Sequence, residues 1–140
     1  MSFIWAERRM MGVVSGGLTM LTIERVENPA REHFRKAHQL TVTWWPHFAT
    51  LDRDERFVLF DKLGVELVLA WQEDDLVGAC LILPDTIGGQ PVVWLSNFCS
   101  HPKARNAGAL MLMRMMKWYE TILCTGVTAE AAEVYLALRW

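Results

Sequence analysis

The chain has 140 residues, of which 52% are hydrophobic and 21% are charged, and its formal net charge at pH 7 is −2. This length and composition predict one globular domain and exclude a disordered chain. The small negative charge excludes a strongly basic surface for nucleic acid, although a local basic patch remains open. No apolar run approaches the roughly 18 residues that a membrane span requires.

The first 19 residues predict an N-terminal extension. Met20 directly precedes the first periodic segment, and Ser15 and Gly16 interrupt the short apolar run before it. That run follows two arginines, as in a signal peptide, but no clear cleavage site follows it. We therefore expect a single domain at residues 20–140 in a cytoplasmic protein, where the three cysteines stay reduced.

Two helices follow the first strand. Alternating apolar and polar residues predict that strand at 21–26. Asn28 and Pro29 are typical of a helix start, and the break at 44–46 ends this helix. Residues 52–55 resemble a capping box, so they predict the start of the second helix.

The second half of the chain predicts four strands and two helices. The strands are expected at 65–71, 76–84, 91–100 and 121–127, and the helices at 109–119 and 129–138. The full order is β-α-α-β-β-β-α-β-α. Antiparallel hairpins followed by a β-α-β crossover predict an α/β domain with a mixed sheet and helices on its faces.

The most informative segment joins the strand at 91–100 to the next helix. Pro102, Arg105 and Gly108 form the pattern Pro-x-x-Arg-x-x-Gly at the start of an apolar helix. A helix N-terminus offers free N–H groups and a positive dipole end, which favour an anion. Small residues at 106–109 would let a phosphate approach the backbone. By themselves, these residues fit either a phosphate site or a plain solvated loop.

The pattern resembles the acetyl-CoA loop of the GNAT superfamily of N-acetyltransferases. A second segment resembles the family's Asn-x-x-Ala-x-x-Leu-Tyr pattern on the helix after the fifth strand, and it consists of Thr128, Ala131, Val134, Tyr135 and Leu138. The element order over 21–138 is also similar. The resemblance implies a GNAT-like acyl-CoA N-acyltransferase fold without the family's usual last two strands, with acetyl-CoA as co-substrate. Because the histidines and cysteines lack metal-ligand spacing, we assign no metal.

The resemblance also implies cofactor contacts for particular residues. The strand edge near Phe98 and Ser100 would hydrogen-bond the pantetheine arm. The pyrophosphate would bind to the backbone N–H groups of Arg105, Asn106, Ala107, Gly108, Ala109 and Leu110. Tyr135 would protonate the departing thiolate, since a phenol is a donor at pH 7. The alternative for Tyr135 is a half-buried aromatic side chain of the helix.

The acceptor side carries fewer signals. Trp44, Trp45 and His47 fall where the family lines its substrate cleft, and they either contact the substrate or form a packed aromatic corner. His47 is one candidate general base. Glu66, Glu73 and Asp75 are alternatives, or else solvated charges.

The sequence departs from the family pattern, and these departures leave two functions open. Leu110 stands where the family prefers Gly or Ala, and Thr128 replaces its Asn. We expect the sheet to end at the strand 121–127, leaving an edge that a second copy or another protein covers. The first of the two functions is an N-acetyltransferase that acts on a small-molecule or peptide amine. The alternative is a non-catalytic binding or structural protein, for example a bacteriophage virion component.

Overall fold

A mixed β-sheet flanked by helices makes up the domain. The structure, a computed structural model, describes residues 10–14, 17–44, 54–104 and 106–138. Within these residues the sheet has six strands, β1 to β6, at Met10–Val14, Gly17–Val26, Glu66–Gln72, Asp75–Ile87, Gln90–Ser100 and Ile122–Cys124. The same residues contain four α-helices, α1 to α4, at Arg31–Trp44, Asp54–Leu63, Ala107–Trp118 and Ala129–Ala137. None of these helices is long and apolar enough to cross a membrane.

The strands lie side by side in chain order, which confirms the predicted fold class. Each strand from β1 to β4 is antiparallel to the next one. Strand β6, which follows the crossover through α3, pairs parallel to β5. Strand β1 is an addition to the predicted order. It pairs with β2 from Val14↔Gly17 to Met10↔Leu21. Its glycine and the glycines after it disfavour a strand by local propensity, so the pattern alone did not reveal it. The domain boundary at residue 20 remains a prediction.

Both faces of the sheet are covered. On β3, Val68 and Ala70 belong to the core shared with α3 and α4, whereas Leu67 and Leu69 belong to the core shared with α1 and α2. All four side chains are fully buried, as expected of a central strand between two helical layers. On β4, a Cβ added to Gly78 would lie 2.6 Å from Met111 Sδ. The absence of a side chain at that position therefore lets α3 pack closely on the sheet.

Several boundaries differ from the predicted ones. Strands β4 and β5 continue through the expected turn at 85–90, and the turn itself is Gly88 and Gly89, with φ of 58° and 79°. Two consecutive positive φ angles suit a tight hairpin turn, which glycine adopts without strain. Helix α1 begins at Arg31 rather than after Asn28, because the N–H of Ala30 donates to Nδ1 of His33. Strand β6 has three residues instead of seven.

Candidate functional site

The sheet opens where β5 and β6 diverge. Within the described residues, these strands pair at only three positions, the last of which is Leu95↔Cys124. Strand β5 continues to Ser100, and residues 96–100 have no partner on the β6 side. The backbone edge of β5 is therefore available to hydrogen-bond an extended group lying in the opening.

A β-bulge lies at the start of this opening. Leu81 pairs with Ser96 and Ala79 pairs with Cys99, so Asn97 and Phe98 together oppose one residue, Cys80. Asn97 has a φ of 51°, a conformation that asparagine tolerates better than most residues. As a consequence, the side chain of Asn97 lies on the α1–α2 side of the sheet, whereas Phe98 packs on the α3 side.

The start of α3 offers backbone donors beside the opening. The helix begins at Ala107, two residues earlier than predicted, and its first intrahelical bond runs from the Leu110 N–H to the Asn106 C=O, at 3.0 Å. The preceding N–H groups of the first turn, those of Ala107, Gly108 and Ala109, have no helical carbonyl beneath them. The Asn106 side chain does not cap them. A helix start of this kind favours an anion.

The role predicted for Leu110 is corrected by this geometry. Its N–H already donates within the helix, so it cannot donate to a pyrophosphate. Arg105, which was expected to add positive charge, lies outside the described residues.

Gly108 brings the start of α3 into contact with the end of β5. A Cβ added there would lie 3.4 Å from Ser100 Oγ and 4.0 Å from Phe98 Cζ. Three predicted site residues from two elements therefore meet at one place, so the first turn of α3 lies next to the unpaired edge of β5.

Tyr135 belongs to helix α4, which follows β6 after a connection of four residues. Thr128 Oγ1 accepts a 3.2 Å hydrogen bond from the Ala131 N–H, as its predicted cap role requires. Tyr135 is buried in the core shared with α3, and Cys124, the last residue of β6, packs against the same core. Burial first, and then the two neighbouring thiols of Cys124 and Cys80, raise the pKa of Tyr135. Tyr135 is therefore a protonated donor at neutral pH.

A pocket lies on the opposite face of the sheet, against the bulge. It is formed by α1, α2, β4 and β5, and its lining residues are Phe34, His38, Thr41, Phe57, Phe60, Leu81 and Asn97. Nδ1 of His38 is buried without a hydrogen-bond partner among the described residues. The ring centroid of Phe34 lies 5.1 Å from that of Phe60 and 5.8 Å from that of Phe57.

The sequence analysis missed His38 and Asn97. A signal for His38 existed, because Phe34, His38 and Thr41 recur at helical spacing and so share one face of α1. No local signal indicated Asn97, since its position depends on the pairing of β5 with β4.

The residues that were predicted to contact the acceptor substrate follow the pocket residues of α1 in the sequence. Trp44 is the last residue of α1, and its side chain is not described. Trp45 and His47 lie outside the described residues, so the roles of all three stay predictions. Of the alternative bases, Glu66 is bound to Arg25 and Tyr119, away from the pocket. Asp75 is exposed and paired with Lys103, and Glu73 lies in the turn between β3 and β4.

Comparison with known proteins identifies the fold. No protein-family model matches the sequence, and no curated protein matches it either. Solved structures do match. An aminoglycoside acetyltransferase from an uncultured soil metagenomic sample, in complex with sisomicin, is 13% identical with a TM-score of 0.66 over 85% of this chain and 86% of its own.

Two further solved structures contain a cofactor. The aminoglycoside N-acetyltransferase AAC(6')-Iy in complex with CoA is 16% identical, with a TM-score of 0.61 over 90% of both chains. A predicted acetyltransferase from Clostridium acetobutylicum with acetyl-CoA is 10% identical, with a TM-score of 0.65 over 86% of this chain and 90% of its own. The chain therefore has the fold of the GNAT acetyltransferases.

Proposed function

We propose that the protein is an N-acetyltransferase that transfers an acetyl group from acetyl-CoA to an amine. One observation carries the proposal: the unpaired edge of β5 meets the first turn of α3 where Ser100 contacts Gly108, at the point where β6 diverges. The presence of CoA or acetyl-CoA in solved structures of the same fold supports it.

The chain's backbone binds the cofactor in this proposal. The N–H groups of Ala107, Gly108 and Ala109 donate to the pyrophosphate. Arg105 and Asn106, which precede them in the sequence, are assigned to the same site by the resemblance. The edge of β5 near Phe98 and Ser100 hydrogen-bonds the pantetheine arm, as a sheet edge does with an added strand. The contact between Gly108 and Ser100 keeps both halves of this site together.

Tyr135 is the proton donor of the proposed reaction. The acceptor nitrogen attacks the thioester carbonyl, the C–S bond breaks, and the tyrosine hydroxyl gives its proton to the departing sulfur. Holding the two reactants in one opening supplies much of the acceleration.

The acceptor is a small-molecule or peptide amine that approaches from the opposite face. Asn97 lines the pocket between α1 and α2 and belongs to the bulge at the start of the opening, so we place the meeting of the amine and the thioester there. The resemblance also assigns Trp44, Trp45 and His47 to the acceptor, and this assignment is part of the proposal.

A second copy or another protein partner covers β6 in this proposal. The strand pairs only with β5 in the described residues, and Ile122, Leu123 and Cys124 offer no charge or proline that would oppose pairing. Light scattering over a concentration series tests for self-association. We also place the protein in the cytoplasm, since all three cysteines are free.

Titration calorimetry with acetyl-CoA tests the proposed function. We expect the full chain to bind acetyl-CoA, and Gly108→Val to lose at least about tenfold in affinity, because a branched side chain would push α3 away from Ser100 and crowd the phosphate. Met113→Ala, an exposed position of the same helix, is the matched control and should bind normally. Absence of binding at millimolar acetyl-CoA by a folded protein would refute the function.

A further inference from the structure

Asn97 has an unusual backbone conformation beside the opening of the sheet. Its φ of 51° lies in a region that most residues other than glycine avoid. Residues held in such a conformation cluster at functional sites, where the surrounding structure keeps them in place. The bulge directs the side chain of Asn97 to the α1–α2 side of the sheet, where it lines the pocket. Asn97 therefore presents its amide to the pocket close to the last paired position of β5 and β6.

The amide of Asn97 has a defined orientation. Its Oδ1 accepts a 3.2 Å hydrogen bond from Oγ of Ser96, so the oxygen side of the amide is engaged. No described residue accepts a hydrogen bond from Nδ2. An amide nitrogen carries two N–H donors. The pocket therefore offers donors at Asn97, and the matching group of a ligand is an acceptor such as a carbonyl oxygen.

The aromatic residues of the pocket suit an apolar group of the ligand. The ring centroid of Phe34 lies 5.1 Å from that of Phe60 and 5.8 Å from that of Phe57. Phe57 and Phe60 are only half-buried, so part of each side chain is open to contact. The enclosed part of the pocket has room for about one water-sized group. A carbonyl oxygen has this size, whereas an apolar side chain fits the wider mouth.

We infer that this pocket binds the N-terminal residue of a peptide-type acceptor, which has an α-amine next to a carbonyl oxygen and an apolar side chain. The inference rests on the proposed function and names the acceptor class of that site. Nδ2 of Asn97 donates to the carbonyl oxygen, and the apolar side chain packs on Phe57 and Phe60. Asn97 is then a residue that determines specificity.

The α-amine is held near the bulge by this arrangement. In a peptide-type acceptor, the amine and the carbonyl oxygen are bonded to neighbouring carbon atoms. Binding of the oxygen at Asn97 therefore keeps the amine beside the bulge, where the thioester is placed in the proposed function. An amine at the end of a long side chain lacks this neighbouring oxygen, so Asn97 cannot hold it in the same way.

The experiment compares two acceptors with the full chain and acetyl-CoA. Phenylalaninamide and 2-phenylethylamine both have a primary amine and a phenyl ring, but only phenylalaninamide has the carbonyl oxygen. Release of CoA is followed with a thiol reagent. The two amines differ in basicity, so the quantity compared among variants is the ratio of their kcat/KM values, phenylalaninamide over 2-phenylethylamine.

Two variants of Asn97 remove the proposed donor. Asn97→Asp keeps the size of the side chain and tolerates the positive φ but loses both N–H groups. Asn97→Gly removes the side chain and adopts the positive φ without strain. We expect the ratio to fall about tenfold in both variants, mainly through slower acetylation of phenylalaninamide. Val58→Ala, an exposed position of α2, is the matched control and should keep the wild-type ratio.

The outcomes separate this inference from the proposed function. An unchanged ratio in both Asn97 variants would overturn the inference, and so would acetyl-CoA binding by a wild type that acetylates neither amine. Both results leave the cofactor site in place. If acetyl-CoA does not bind, the proposed function fails. Ligand NMR with phenylalaninamide alone then tests the pocket: binding about tenfold weaker in Asn97→Asp than in the wild type supports the inference, and equal binding overturns it.

Discussion

The hydroxyl of Tyr119 donates a 2.6 Å hydrogen bond to the carboxylate of Glu66. Arg25 holds the same carboxylate through Nε at 2.8 Å and Nη2 at 3.1 Å, and its guanidinium lies 4.8 Å from the Tyr119 ring centroid. The group joins β2 and β3 to the segment that follows α3. Burial first, and then the hydrogen bond to Glu66, raise the pKa of Tyr119, so it stays a donor at neutral pH.

Replacing Tyr119 with Phe should destabilise the protein and leave the cofactor site intact. The variant loses a hydrogen bond to a charged, partly buried acceptor, which typically contributes about 1.5–3 kcal/mol. Urea unfolding measures the change. Acetyl-CoA affinity should stay the same, because Tyr119 follows the C-terminal end of α3 and the proposed site lies at its N-terminal end. A stability within about 0.5 kcal/mol of the wild type would show that the bond contributes little.

Gly78→Ala should destabilise the core by about 1–3 kcal/mol, as overpacking usually does. The added Cβ would lie 2.6 Å from Met111 Sδ and 3.0 Å from the Cβ of Ala70, so the Met111 side chain, α3 or the sheet must shift. The matched control is Gly108→Ala, whose new Cβ meets only ordinary contacts. Chemical denaturation of both variants tests the difference. Equal stabilities would mean that Met111 moves aside at little cost.

Tyr135→Phe should lower the turnover number by roughly 10²–10⁴, the usual contribution of a general acid, with little change in acetyl-CoA affinity. Cys124→Ala keeps the hydroxyl and removes a neighbouring thiol, so its loss should be smaller. Steady-state kinetics and titration calorimetry separate the two effects. An unchanged turnover in Tyr135→Phe would assign the proton transfer to water or to another side chain.

Stability should fall at alkaline pH because of Cys99. Burial raises the pKa of this thiol from 9.0 to about 11, partly offset by its contact with Thr41. Below pH 9 both the folded and unfolded states hold the proton, and the stabilisation is complete. Between pH 9 and about 11 the unfolded chain ionises first, so the free energy of unfolding decreases. Unfolding of Cys99→Ala under reducing conditions should show a flatter decline over this range. A decline as steep as that of the wild type would contradict this assignment.

Local chemistry was sufficient to predict part of the site. The cap at Thr128 depends on one hydroxyl and an N–H three residues later, so the sequence contains all the information that places it. Gly108 was predicted for a similar reason, because a small residue at a helix start is visible in the pattern. A half-buried aromatic side chain was one of the two alternatives for Tyr135, and the structure encloses this side chain further than that alternative did.

Features that depend on distant pairing could not be predicted in this way. The bulge at Asn97 exists only relative to Cys80, which lies 17 residues earlier in the sequence. The helical start at Ala107 also differs from the predicted one, since residues 106–109 have the composition of a loop as well as of a helix N-terminus. The pocket at His38 needs α1, α2 and β5 together, and no segment alone indicates it.

The extra residue of the bulge also shifts by one position the alternation of β5 side chains between the two faces of the sheet. Counting from Leu95, which faces the α3 side, strict alternation would place Phe98 toward α1 and Cys99 toward α3, the opposite of the observed arrangement. Deleting Asn97 would therefore remove the bulge and restore regular alternation, with Phe98, Cys99 and Ser100 on the faces that they now occupy. Ser100 would still meet Gly108, but the pocket beside α1 and α2 would lose Asn97 from its lining. The bulge thus adds one residue to the strand without changing the orientation of the residues that contact α3.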